Sequence, residues 1–245
     1  MAKEKHSKPY QTFCNRVLHL DADLELIDII DSSVKSGLLF SEDKLFSKIS
    51  KNKHPVLSKR KVTSVNRELA INHLKQSMFS SYIKDLYEEV YDYLKSVLFE
   101  ASINAKIEPS RFIGDQKIEI KAKDILQADK LQTLVKEVVE ELFRKLENKR
   151  STKDLIENIC NRLDISVENG KKEKALYYLE VRHQLVHADG KADEAFRKAH
   201  PDIPYKDGYI DLRYRLIISA RKAIKEFITS FDTQLIIKGL ITPQE

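Results

Sequence analysis

Hydrophobic residues recur along this chain at steps of three and four, the spacing that gives a helix one apolar stripe. From Tyr10, the positions Phe13, Val17, Leu20, Leu24, Ile27, Ile30 and Val34 keep that spacing until Gly37 and predict a long first helix. Ser41 reads as the N-cap of a short helix carrying Leu45, Phe46 and Ile49. The period lapses over residues 51–61, where His54-Pro55 and the run Lys59-Arg60-Lys61 read as a solvated linker or, more sharply, a phosphate-contacting patch. Residues 63–101 form the longest periodic segment, either one helix or two with a break near Ser80-Ser81. Its tyrosines Tyr82, Tyr87, Tyr91 and Tyr93 fall at helical steps and read as packing residues.

Residues 107–121 lose the helical period, and Lys117-Ile118-Glu119-Ile120 alternates like a short strand or an extended loop inserted between helices. Helical spacing resumes at Leu131, Leu134, Val135, Val138, Leu142, Phe143 and Leu146, with Glu137, Glu140, Glu141 and Lys145 outside. Ser151-Thr152 caps a further helix with Leu155, Ile156, Ile159 and Leu163, and Asn169-Gly170 reads as a turn. One or two helical turns are expected in residues 192–200, a loop in 201–208, and a last amphipathic helix over about 212–240. The fold class expected is therefore all-α: an antiparallel helical bundle with an amino-terminal helical extension over residues 1–52, a main domain over 60–245 and a short extended insertion.

Composition narrows the functional classes. Six glycines and six prolines in 245 residues argue against a loop-rich sandwich or barrel, and 33% charged residues suit long solvated helices. Forty-three basic against thirty-eight acidic side chains give +5, a mildly basic balance compatible with a nucleic-acid partner. Cys14 and Cys160 lie far apart within apolar patterns and are expected as buried free thiols of a reducing compartment. The basic, polar start MAKEKHSKPY has no apolar core behind it, and no apolar run is long enough for a bilayer, so a cytoplasmic chain with no membrane partner is expected.

Polar chemistry concentrates in residues 175–193, ALYYLEVRHQLVHADGKAD. Leu176, Leu179 and Val186, with Ala175, Tyr178 and Val181 beside them, predict a helix with a broad core-facing surface that Gly190 stops. Arg182, His183 and His187 are set into it. At 100° per residue the two histidines nearly superpose, while Arg182 lies about 140° from His187. A shared target then requires a long, bent arginine or one from a second subunit. Burying three such groups unpartnered costs several kcal/mol, so they need a cleft, a partner or water.

The run Arg182-His183-Gln184-Leu185-Val186-His187 resembles the Rx4-6H signature of the HEPN superfamily, in which Asn, Asp or His commonly follows the arginine. The continuation from Ala188 to Asp193 is similar to the turn after the motif in the RiboL-PSP and MAE-type branches. The resemblance covers roughly residues 60–240. It implies a HEPN-like bundle, a homodimer whose motif helices face each other across one cleft, and metal-independent RNA cleavage by the 2′-hydroxyl, with no cofactor. Arg182 and His187 would be catalytic, with His183 orienting or assisting. Bacterial defence or a toxin–antitoxin system is the implied setting, with an antitoxin or other defence protein as a further partner. Where many HEPN toxins silenced by nucleotidyltransferases carry a tyrosine two positions after the histidine, this chain has Asp189, which instead could pair with Arg182 or His187. Arg213, Arg215 and Lys191 are candidate nucleic-acid contacts, and Arg213, Arg215, Arg221 and Lys222 either line a groove beside His187 or are ordinary solvated charges.

Two other chemistries compete. His183 and His187 have the spacing of an HExxH zinc helix, but Gln184 stands where the general-base glutamate belongs, which leaves only a structural or regulatory metal with Asp189 or Asp193. Alternatively the chain is a catalytically inactive dimeric module that binds nucleic acid or a partner protein.

Overall fold

The computed structural model describes residues 5–36, 50–56, 58, 64–104, 107–128, 130–147 and 151–244. Gly37, the short helix expected after Ser41 and the Lys59-Arg60-Lys61 run lie outside these residues.

Among the described residues the architecture is all-α apart from one small hairpin. Helix α1 spans Lys8–Lys35, opened by the hydroxyl of Ser7, which accepts from the backbone N–H of Tyr10 at 3.2 Å. Helix α2 spans Ser64–Ile103, 40 residues and therefore about 60 Å long at 1.5 Å per residue. The two run antiparallel: Arg16 reaches Glu89 and Asp92, Asp21 meets Tyr82, and Asp31 meets Lys75, so numbers rise on one helix as they fall on the other. No break occurs at Ser80-Ser81. Phe79, Tyr82 and Ile83 are buried on either side of the serines, and Ser81 points outward to donate to Asp85 one turn on at 2.9 Å.

Two short helices, α3 (Pro109–Ile113) and α4 (Ala122–Gln127), flank the stretch expected to be extended. That stretch, residues 116–121, pairs with no strand among the described residues and is an extended loop. Helix α5 (Leu131–Glu147) turns Val139, Leu142, Phe143 and Leu146 inward. Helix α6 (Thr152–Leu163) begins as expected, with the Ser151 hydroxyl accepting from the N–H of Asp154.

Helix α7 (Asn169–His187) starts earlier than the Asn169-Gly170 pair suggested. Both residues are helical because the carbonyl of Glu168 accepts from the N–H groups of Lys171 and Lys172, and Gly170 adopts no left-handed backbone. Its end is also shifted. The left-handed turn is entered at Asp189 (φ 51°) and continued by Gly190 (φ 79°), whose N–H returns to the Gln184 carbonyl. After α8 (Glu194–Ala199), the expected loop instead holds a hairpin, β1 (Tyr205–Lys206) with β2 (Tyr209–Ile210), closed by Asp207-Gly208. Positive φ at both turn residues, 52° and 82°, is what a two-residue hairpin needs. The chain finishes with α9 (Tyr214–Ile237).

Helix α2 is the axis of the molecule, packed by α1, α5, α6, α7 and α9, while α7 lies along α9. One core runs through all of them, and Tyr10, Phe13, Val17, Leu24 and Ile27 of α1 belong to it. The amino-terminal helix is tied down by Asp232 of α9, which is fully buried and accepts from the Ser7 N–H at 3.1 Å, from the Ser7 hydroxyl and from the Tyr93 hydroxyl at 3.3 Å. Among the described residues no helix is long and apolar enough to cross a membrane.

Candidate active site

Helix α7 buries Ala175, Leu176, Leu179, Val181 and Leu185. Val186 does not join them: it is 41% exposed. It lies within about 100° of both His183 and His187 around the helix and shares their open face. Leu185 takes the inward position under the turn that ends the helix, with its Cδ2 close to Gly190.

Arg182, His183 and His187 line a single cleft of about 410 Å³ within one chain. The cleft is walled by Tyr87 and Tyr91 of α2, by Glu147 at the end of α5, and by Ser151 and Thr152 at the start of α6. The imidazoles of His183 and His187 are neighbours, with ring centroids 4.6 Å apart and planes inclined by 47°. Both histidines are exposed, and His187 is the last residue of the helix.

The 140° that separates Arg182 from His187 is bridged by the arginine's own length. Its guanidinium carbon sits 4.5 Å from the centre of the Tyr87 ring, and one terminal nitrogen donates to Glu88 at 3.2 Å. The carboxylate that pairs with Arg182 is thus Glu88 and not the expected Asp189. The Arg182 Nε is enclosed and has no protein partner among the described residues.

Tyr87 is itself fixed. Its hydroxyl donates to Tyr91 at 2.5 Å and lies 3.2 Å from the Thr152 hydroxyl, while the Tyr91 ring stands edge-on to Phe143 at 5.5 Å. Burial, reinforced by the hydrogen bond from Tyr87, pushes the Tyr91 hydroxyl well above the ordinary phenol range, so it stays protonated. The cleft therefore presents two imidazoles, one guanidinium and a set of hydroxyls, beside the amide-rich first turn of α6.

Compared with family models, curated proteins and solved structures, the chain matches none. The site stands on its geometry.

Arg213, Arg215 and Lys191 do not line this cleft. The start of α9 sits over an earlier part of α2, where Gln76 donates to the Leu212 carbonyl and Phe79 meets Tyr214, about 12–16 Å along the axis from Tyr87. Arg213 is exposed and paired with Asp211 at 2.6 Å, and Arg215 is exposed. Lys191 is exposed in the turn after α7, where its backbone bridges to Tyr209 of the hairpin. Arg221 pairs with Asp21 of α1 at 2.7 Å, on the α1–α9 side of the molecule. Lys222 lines the same groove as that pair, and the two histidines do not.

Among the described residues no group of three or more His, Cys, Asp or Glu side chains is arranged to hold an ion, and neither Asp189 nor Asp193 converges on the two imidazoles. Asp193 is engaged as the N-cap of α8, accepting from the Phe196 N–H. Sequence reasoning missed Tyr87, Glu88, Tyr91 and Thr152 as parts of the site. The one signal available was the i, i+4 spacing of Tyr87 and Tyr91, which fits a packed helix equally well.

Proposed function

We propose that this chain is a metal-independent endoribonuclease of HEPN type, acting in bacterial defence or a toxin–antitoxin system. The observation that carries the reading is the convergence of Arg182, His183 and His187 on one cleft. In the proposed reaction an imidazole removes the proton of a ribose 2′-hydroxyl, the 2′-oxygen attacks phosphorus, and the P–O5′ bond breaks as the second imidazole protonates the departing oxygen. Arg182 offsets the charge that accumulates on the phosphorane-like transition state. The products are a 2′,3′-cyclic phosphate and a 5′-hydroxyl, and no metal or cofactor enters. RNA is the proposed substrate and a homodimer the proposed assembly; an antitoxin or other defence protein is the proposed regulator.

The test uses purified protein, single-stranded RNA and excess EDTA. Cleavage that leaves cyclic phosphate ends is expected, and Arg182→Ala and His187→Ala are each expected to lower it by at least about a thousandfold at unchanged melting temperature. A second reading, a catalytically inactive module that binds RNA or a protein, is favoured by one observation: the Arg182 guanidinium already has an acceptor in Glu88. Intact RNA with wild type and with both variants, alongside equal binding by all three, establishes that second reading instead.

A further inference from the structure

The arginine of this site starts on the wrong side of its helix, and what corrects that comes from α2. We infer that Tyr87 and Glu88 are positioning residues for Arg182: the tyrosine ring is the shelf on which the guanidinium lies, and the glutamate clamps its outer edge. The inference rests on the phosphodiester-cleaving reading of the cleft and adds to it the residues that set the geometry of its cation.

Three features carry it. The guanidinium carbon lies over the Tyr87 ring at 4.5 Å, a distance at which the ring face attracts a cation and opposes rotation of the side chain. Glu88 accepts from one terminal nitrogen at 3.2 Å but does not itself line the cleft, so it draws the guanidinium from outside and, among the described residues, leaves the inner edge without a protein hydrogen-bond partner. The shelf cannot tilt freely. The Tyr87 hydroxyl is held by Tyr91 and Thr152, and Tyr91 is braced by Phe143, which ties the position of Arg182 to the joint between α2, α5 and α6. A cation that must meet a phosphate at hydrogen-bond distance gains from being fixed in advance, because a displacement of about 1 Å costs up to roughly a hundredfold in rate.

The exposed ion pair alone contributes little to folding: Glu88 is 61% and Arg182 24% exposed at their side chains. Loss of the pair should therefore be felt in turnover and hardly in stability. Expected are a fall in kcat of about tenfold for Glu88→Gln and between about tenfold and a hundredfold for Tyr87→Leu, with KM changed less than about threefold. Tyr87→Phe, which keeps the ring, should retain most of what Tyr87→Leu loses. In an Arg182→Ala background Glu88→Gln should have no further effect, because there is no guanidinium left to align. Additive losses in that double variant, or KM changes in place of kcat changes, overturn the inference.

A second arm separates this inference from the ribonuclease reading. In 15N-labelled protein, the Arg182 Nε–H resonance, assigned by its loss in Arg182→Lys, should be sharp and displaced from that of solvated arginines. It should move to the solvated position in Tyr87→Leu. If wild type leaves RNA intact while the resonance behaves this way, the ribonuclease reading fails and the alignment stands. A resonance indifferent to Tyr87→Leu and Glu88→Gln refutes the alignment whatever the activity.

Discussion

Replacing Asp232 by alanine probes the joint that ties the first helix to the last. The carboxylate is fully buried and faces the Ser7 N–H, the Ser7 hydroxyl and the Tyr93 hydroxyl, while Ser7 is 0% and Tyr93 2% exposed. His6 stands 3.4 Å away, and its carbonyl accepts from the backbone N–H of Gln244. In Asp232→Ala three buried donors lose their acceptor, each at a cost of about 1–3 kcal/mol. The Tyr93 bond is long and the Ser7 hydroxyl can turn, which places the expected loss near the low end of the sum, about 3–5 kcal/mol. Asp232→Asn keeps one acceptor oxygen but sets an amide donor against the Ser7 donors, and should lose about 2 kcal/mol. For a chain of this size the alanine variant corresponds to a fall in melting temperature of roughly 6–20 °C. Urea unfolding at pH 7 measures the difference directly. Hydrogen exchange should show the first turn of α1, where Gln11 donates to the Ser7 carbonyl, opening before the rest of the helix. A loss below about 1 kcal/mol for Asp232→Ala, or unchanged exchange at Tyr10 and Gln11, would mean that the anchor carries no weight and that packing alone holds α1.

Other expectations follow from individual side chains. Leu185→Ala should destabilise the fold by about 2–4 kcal/mol and Val186→Ala by less than about 1, which urea titrations resolve and which inverts the ranking that the apolar pattern suggests. Burial alone would push the Asp31 carboxyl up, but hydrogen bonds from Lys35 and Lys75 outweigh it and hold the group below the ordinary aspartate value. Its contribution is then present above the unfolded pKa and lost as pH falls below about 4, so acid unfolding of Asp31→Asn should show a shallower decline there than wild type. Burial pushes the Cys160 thiol up to about 11 and raises that of half-buried Cys14. Iodoacetamide at pH 8 should leave both unlabelled over minutes in native protein and label both in urea, a pattern mass spectrometry reads at once.

The helices that could be read from the sequence are those with a one-sided apolar stripe. Helices α5, α6 and α9 appear where the stripe places them, and Ser151 caps α6 as its position ahead of the stripe requires. Ser80-Ser81 left one helix or two open, and the burial of Phe79, Tyr82 and Ile83 around it decided for one, because local propensity is weak beside burial. Asp207-Gly208 is a strong two-residue hairpin signal, obscured here because each strand is only two residues long. Arg182, His183 and His187 stand out as a polar cluster on an apolar helix. Glu88, 94 residues from its partner, does not.

What the order of residues determined is the helical character of the chain, the span of its main helices and the identity of the three polar groups on α7, since each depends on spacing within a few turns. Only the tertiary structure decided that those groups share one cleft inside a single chain and that Arg213, Arg215 and Lys191 stand elsewhere. It alone put Tyr87 beneath the guanidinium and Asp232 beneath Ser7. The physical reason is that periodicity tells which side of a helix leaves water, while the partner it finds there is chosen by packing between segments that can lie a hundred residues apart.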